Sequence, residues 1–130
     1  MKLLNKAILL MALAAFGTQA TTIVPSGQLC DFAAKEYGVM HSKFNGHDLE
    51  TEYVSEGDNV CTIVVTLKGD AIQAYYDKLD PNQVYGDLDA AIDKLTGNLK
   101  EGIVLKGKFI TMLKVKGNGL VTTFTKSKNF

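Results

Sequence analysis

Met40-His41-Ser42-Lys43-Phe44-Asn45-Gly46-His47-Asp48-Leu49-Glu50-Thr51-Glu52-Tyr53 decides the fold. Asn-Gly between two alternating runs is the strongest short-range hairpin signal, because both residues tolerate the positive φ of a two-residue turn. A turn there sets Phe44 opposite His47, Ser42 opposite Leu49 and Met40 opposite Thr51. One face then carries Met40, Phe44, Leu49 and Tyr53. The other carries His41, Lys43, Asp48, Glu50 and Glu52. Such alternation predicts a sheet with one wet face.

The next strand follows from parity. Val60 to Lys68 places Cys61, Ile63, Val65 and Leu67 on one side, after a turn at Glu56-Gly57-Asp58-Asn59. Only a loop of odd length, three or five residues, joins that side to Leu49 and Tyr53, because a one-residue slip turns every side chain over. Cys61 therefore points inward. Upstream, Ser26 is positioned to cap a helix that runs to about Tyr37 and stops at Gly38. Leu29, Cys30, Ala33 and Tyr37 share its apolar side, flanked by Phe32. The chain has two cysteines, Cys30 and Cys61. In an exported chain such a pair reads as a disulfide, here tying the first helix to the third strand.

Two helices are expected next. Asp70 to Leu79 aligns Ile72, Tyr75, Tyr76 and Leu79, and Asp80-Pro81 ends it. Pro81-Asn82-Gln83-Val84-Tyr85-Gly86 reads as a polar loop in which Tyr85 either presents an anchor to a partner or simply covers a core edge. Asp87 then caps a helix with the stripe Leu88, Ile92, Leu95 and Leu99, weakened at Gly97 and ended by Gly102. A second hairpin turns at Asn118-Gly119, with Leu113 opposite Phe124 and Val115 opposite Thr122. Phe109, Leu113, Val115, Leu120 and Phe124 then share a face. The expected order is α-β-β-β-α-α-β-β: an N-terminal helix, a three-stranded antiparallel meander, two helices and a C-terminal β-hairpin. This is an α+β fold with helices on one face of an antiparallel sheet.

Residues 1–20 read as a secretory signal peptide. Lys2 and Lys6 precede an apolar run from Ala7 to Phe16, and Thr18-Gln19-Ala20 supplies a small-residue cleavage site. The run is too short to span a bilayer, and no later segment is apolar for long enough. Cleavage after Ala20 leaves residues 21–130, a length suited to one α+β domain, in the periplasm or outside the cell. Of 14 lysines the signal removes two, leaving 12 against 14 acids, a formal charge of −2. There is no Arg and no Trp. Arg is the preferred bidentate phosphate ligand, so its absence argues against sequence-specific nucleic-acid binding.

The charges segregate. Every acid lies between Asp31 and Glu101, while residues 102–130 hold six lysines: Lys106, Lys108, Lys114, Lys116, Lys126 and Lys128. In the derived register Lys108, Lys114 and Lys116 point to solvent, and with Tyr85 they are the candidate binding residues. Such a stripe attracts an acidic protein or an anionic envelope component. It also suits a purely protective role, since edge lysines discourage sheet-to-sheet pairing. His41 and His47 fall on opposite faces, which speaks against a metal site. Asp87, Asp89 and Asp93 lack the third ligand and glycine of a calcium loop, where Ala91 and Ile92 stand. No catalytic motif is present and no cofactor is expected. The function class this favours is a non-catalytic protein-binding module of the bacterial envelope, an inhibitor, immunity-type or accessory protein. The rivals are a periplasmic carrier of a small lipid or hydrophobic ligand and an enzyme of unknown type.

Overall fold

The computed structural model describes residues 22–97 and 102–130. In chain order they form β1 (Thr22–Pro25), α1 (Ser26–Tyr37), β2 (Met40–Phe44), β3 (His47–Ser55), β4 (Val60–Lys68), α2 (Asp70–Lys78), α3 (Pro81–Gly97), β5 (Ile103–Lys106), β6 (Lys108–Gly117) and β7 (Leu120–Asn129). Five strands make one sheet in the order β2-β3-β4-β6-β7, while β1 and β5 pair separately. The segment 1–20, read in the sequence as a signal peptide, lies outside the described residues, as do Leu99 and the side chain of Leu95.

Both hairpins have the expected registers. Asn45 and Gly46 turn at φ 50° and 82°, and Asn118 and Gly119 at 53° and 70°. Phe44 pairs with His47 and Met40 with Thr51. Leu113 pairs with Phe124 and Val115 with Thr122. Ser55 pairs with Cys61, so the loop between them has five residues, an odd number as parity requires. Cys30 and Cys61 are bonded, with Cα atoms 5.4 Å apart.

The sheet is not wholly antiparallel. β4 and β6 run parallel, with Cys61 beside Phe109 and Leu67 beside Val115. Parallel neighbours need a long crossover, usually helical. Here α2 and α3 together supply it, so the segment that resembled two independent helices is the middle of a β-α-α-β unit. The strands β1 and β5 are further departures from the expected order. Each has four residues, paired in parallel, too few to show a period. Each inserts one side chain, Val24 or Leu105, into the core.

All three helices contribute to one apolar cluster on the same side of the sheet. Leu29, Cys30 and Ala33 come from α1, Tyr76 from α2, and Val84, Leu88 and Ala91 from α3. They meet Ile63, Val65, Leu67, Phe109, Leu113 and Val115 of the central strands. Burying one such aliphatic or aromatic side chain stabilises by roughly 1.5–3 kcal/mol. Leu120 has the expected parity but is 56% exposed. It pairs with Gly117 at the hairpin tip.

Three local expectations are corrected. Ser26 does not cap α1. Pro25 occupies that position, and Ser26 is buried in the first turn with its Oγ unpartnered among the described residues. The helix end is held instead by the Gly27 N–H, which donates to the Asp58 carbonyl at 2.8 Å. A side chain cannot fit there: a Cβ on Gly27 would lie 1.8 Å from the Gly57 oxygen. The second correction concerns α3, which starts at Pro81 rather than Asp87. The Asn82 N–H donates to Asp80 Oδ1 at 3.0 Å, so Asp80 is the cap and Pro81 the first helical residue. That is a favoured start, because proline lacks an N–H that would go unused there. Asp87 is consequently interior. Third, Tyr85 is a helix residue, not a loop tip. It packs edge-on against Phe124 with centroids 6.1 Å apart.

Candidate functional site

Since the helices occupy one face of the sheet, the opposite face is formed by the alternate residues of β2, β3, β4, β6 and β7. Register fixes the neighbours on it. Lys116 stands between Lys68 on β4 and Val121 on β7. Lys114 stands between Thr66 and Thr123, and Met112 between Val64 and Thr125. Lys108 lies between Val60 and Asn129 at the far end. Strand rise puts Lys114 and Lys116 ~7 Å apart and Lys108 ~20 Å from Lys114. The three candidate lysines therefore share a face without forming one cluster. Lys114 and Lys116 group with Lys68, a residue not singled out in the sequence because only the parallel β4–β6 pairing brings it there.

The tip of the hairpin that carries Lys116 is anchored. The Gly69 N–H donates to the Lys116 carbonyl at 2.9 Å. The Asn118 N–H donates to Asp70 Oδ1 at 2.7 Å, and its side-chain amide donates to Gln73 Oε1 at 2.9 Å. Buried Gln73 in turn donates to Thr122 Oγ1 at 3.1 Å. Gly117 cannot accept a side chain, since its Cβ would lie 2.4 Å from the Gly69 oxygen. These contacts fix the backbone beneath Lys116 against the start of α2.

Ion pairing divides the lysines into two sets. Lys126 and Lys128 have the parity of Phe124 and turn to the helix side. Lys126 meets Asp89 at 3.4 Å, and Lys128 meets Asp93. The acids of β3 are also engaged. Lys43 pairs with Asp48, Lys68 with Glu50 at 3.0 Å, and His41 lies 3.7 Å from Glu50. The hydrogen bond from Lys43, then its charge, holds the Asp48 carboxyl below its ordinary range. The hydrogen bond from Lys68 does the same for Glu50, with smaller contributions from the charges of Lys68, His41 and Lys116. Among the described residues, Lys108, Lys114 and Lys116 enter no ion pair within 4.0 Å. The acidic middle of the chain thus neutralises one part of the lysine set and leaves another.

Beside this end of the lysine face is an apolar patch of Val64, Ile110 and Met112, each partly exposed. Thr62 and Thr66 lie almost buried among them. Tyr85 belongs to the other side of the sheet and forms no common site with the lysines. His41 and His47 stand on opposite faces, as their parity demands. Asp89 and Asp93 are committed to lysines, while Asp87 lines an open groove on the helix side. Of the residues of that groove, Phe44, Ile72, Tyr75 and Tyr76 fall on apolar faces in the sequence, and Tyr75 and Tyr76 also stand out there with Tyr85 as a tyrosine-rich feature. No local signal says that part of an apolar stripe stays uncovered.

Among the described residues, no helix is long and apolar enough to cross a membrane. Comparison of the chain with protein-family models, with curated proteins and with solved structures finds no match.

Proposed function

We propose that the chain is an exported, non-catalytic binding module of the bacterial envelope that engages an acidic protein through the open face of its sheet. The supporting observation is the division of charge. Lys126 and Lys128 are paired with α3, whereas Lys114 and Lys116 stand over an anchored backbone with no ion pair among the described residues. An acidic partner gains attraction there without displacing an internal salt bridge, and the adjoining Val64 and Met112 offer apolar contact. An inhibitor, immunity-type or accessory role suits such a rigid surface. The non-catalytic reading is supported by the state of the reactive groups. Both cysteines are bonded, and the carboxylates Asp48, Glu50, Asp89 and Asp93 are held by lysines. A carrier would need room between sheet and helices, where Ile63, Leu67, Phe109 and Leu113 are fully buried.

Two measurements test this. Export should remove the leader, so N-terminal sequencing of exported protein should begin at Thr21, and a retained Met1 would remove the envelope assignment. Immobilised protein should capture an acidic protein from envelope extract at low salt and release it at high salt. Lys108→Gln, Lys114→Gln and Lys116→Gln together should leave stability within about 0.5 kcal/mol per site. Association should slow and its salt dependence flatten, because exposed lysines act mainly through long-range steering. Lys114→Gln with Lys116→Gln should carry most of the loss, given the distance to Lys108. Equal capture with equal salt dependence would reduce the lysines to an aggregation-resistant face.

A further inference from the structure

β7 ends the five-stranded sheet, with β6 on one side and, among the described residues, no strand on the other. Its pairing with β6 runs through ten consecutive residues, Leu120 to Asn129, without a bulge. In an antiparallel pair the backbone groups of alternate residues face the neighbouring strand. The Phe130 N–H donates to the Gly107 carbonyl at 2.8 Å, and the Gly107 N–H donates back to the Phe130 carbonyl. That exchange continues the register and fixes its parity. Even-numbered residues of β7 turn their backbone to β6. The N–H and C=O groups of Val121, Thr123, Thr125 and Ser127 turn outward to the open edge. Among the described residues, no turn or cap hydrogen bond takes these groups.

Proteins blunt such edges with short strands, proline, bulges or charge. The opposite edge strand, β2, has five residues. β7 has ten and contains no proline. Its lysines, Lys126 and Lys128, turn to the helix side and are held by Asp89 and Asp93. Beside the edge on the open face stand Thr123, Thr125 and Ser127, all exposed and all short. A long edge without these protections is a template for a further strand.

The charge nearby selects the occupant. Lys114 pairs with Thr123 and Lys116 with Val121, so both lysines stand one strand in from the edge. Neither enters an ion pair within 4.0 Å among the described residues. An added strand would lie two strand spacings from β6, about 10 Å. Extended Lys and Glu side chains together span that distance over the short threonines. A second copy of β7 is a poor occupant, because residues 102–130 hold six lysines and no acid. We infer that an extended acidic segment of the partner protein adds antiparallel to the free edge of β7, with carboxylates at alternate positions facing Lys114 and Lys116. The inference rests on the open-face reading above and specifies how the partner is held. In this geometry each carboxylate-bearing residue lies opposite an outward residue of β7 and exchanges both backbone bonds with it.

The probe is a capped seven-residue peptide with Glu at odd positions and Thr at even ones, followed by amide exchange in isotope-labelled protein. The amides of Val121, Thr123, Thr125 and Ser127 should exchange fast in the free protein and slow about tenfold or more with saturating peptide. N-methylation of the two central glutamates should weaken binding about tenfold or more, whereas N-methylation of the interleaved threonines should change it less than about threefold. Thr125→Pro removes an outward N–H at a position where an edge strand tolerates proline. It should abolish the protection with the fold kept. Lys114→Gln with Lys116→Gln should weaken the peptide about threefold or more at low salt, as should Gln for Glu in the peptide. No gain of protection at the edge, or equal binding of the two methylated peptides, overturns strand addition. Weaker binding of the Glu peptide to the lysine variant would then still uphold the open-face reading. Edge protection by Glu and Gln peptides alike, with equal affinity, overturns the acidic partner and the open-face reading with it.

Discussion

Replacing Phe109 by alanine is expected to destabilise the protein by about 3–5 kcal/mol. Phe109 is completely buried on β6 and is among the largest side chains so enclosed. It sits beside Cys61 across the parallel β4–β6 ladder and meets the Phe130 ring edge-on at 5.6 Å. Truncation loses the transfer free energy of the ring and leaves a cavity. Collapse into that cavity is limited, because sheet pairing and the disulfide hold the surroundings. Denaturant unfolding of the oxidised protein measures the loss. Phe109→Leu should lose far less, since it keeps most of the volume. A loss under about 1.5 kcal/mol for the alanine variant would show that this ring is not enclosed as described.

The second large effect is expected from the cysteines. Cys30→Ala with Cys61→Ala should lower stability by about 2–5 kcal/mol. The bonded residues are 31 apart in sequence, and the chain-entropy model gives about 3.5 kcal/mol for a loop of that size. The loop encloses the C-terminal part of α1 with β2 and β3, so the bond restricts the unfolded chain across about a quarter of its length. Both cysteines are fully buried, and losing their sulfurs adds a small packing penalty. Non-reducing peptide mapping should show the cross-link in native protein. Two freely alkylated thiols there would refute it, and unchanged stability in the double variant would show that the bond does not constrain folding.

Asn45-Gly46 and Asn118-Gly119 set both hairpin registers, because the turn geometry is local and the side-chain period is two. The same parity placed Cys61 inward and Lys108, Lys114 and Lys116 on the open face. Asp80-Pro81 reads locally as a helix stop. It is also a strong start, a cap followed by a first-turn proline, and α3 begins there. A start at Pro81 places Tyr85 on a helix stripe rather than in a loop.

Other features had no local trace. Nothing in β4 or β6 alone says that they are neighbours, or that they run parallel. That pairing depends on α2 and α3 folding as a crossover, and it alone brings Lys68 beside Lys116. The pairing of Lys126 with Asp89 and of Lys128 with Asp93 spans 37 and 35 positions. It requires α3 to lie along β7, and only that placement separates paired lysines from those without a carboxylate partner. The groove arises in the same way. Ile72, Tyr75, Tyr76 and Leu79 form an apolar stripe by spacing, but how much of it is covered depends on where Phe44 and α3 stop. The sequence by itself determined hairpin registers, strand faces, the cysteine pair and the extent of α1, all governed by dihedral preference and side-chain period over a few residues. Tertiary structure alone decided strand order, ion-pair partners and which apolar side chains stay open, because these depend on contacts between segments whose separation no local period encodes.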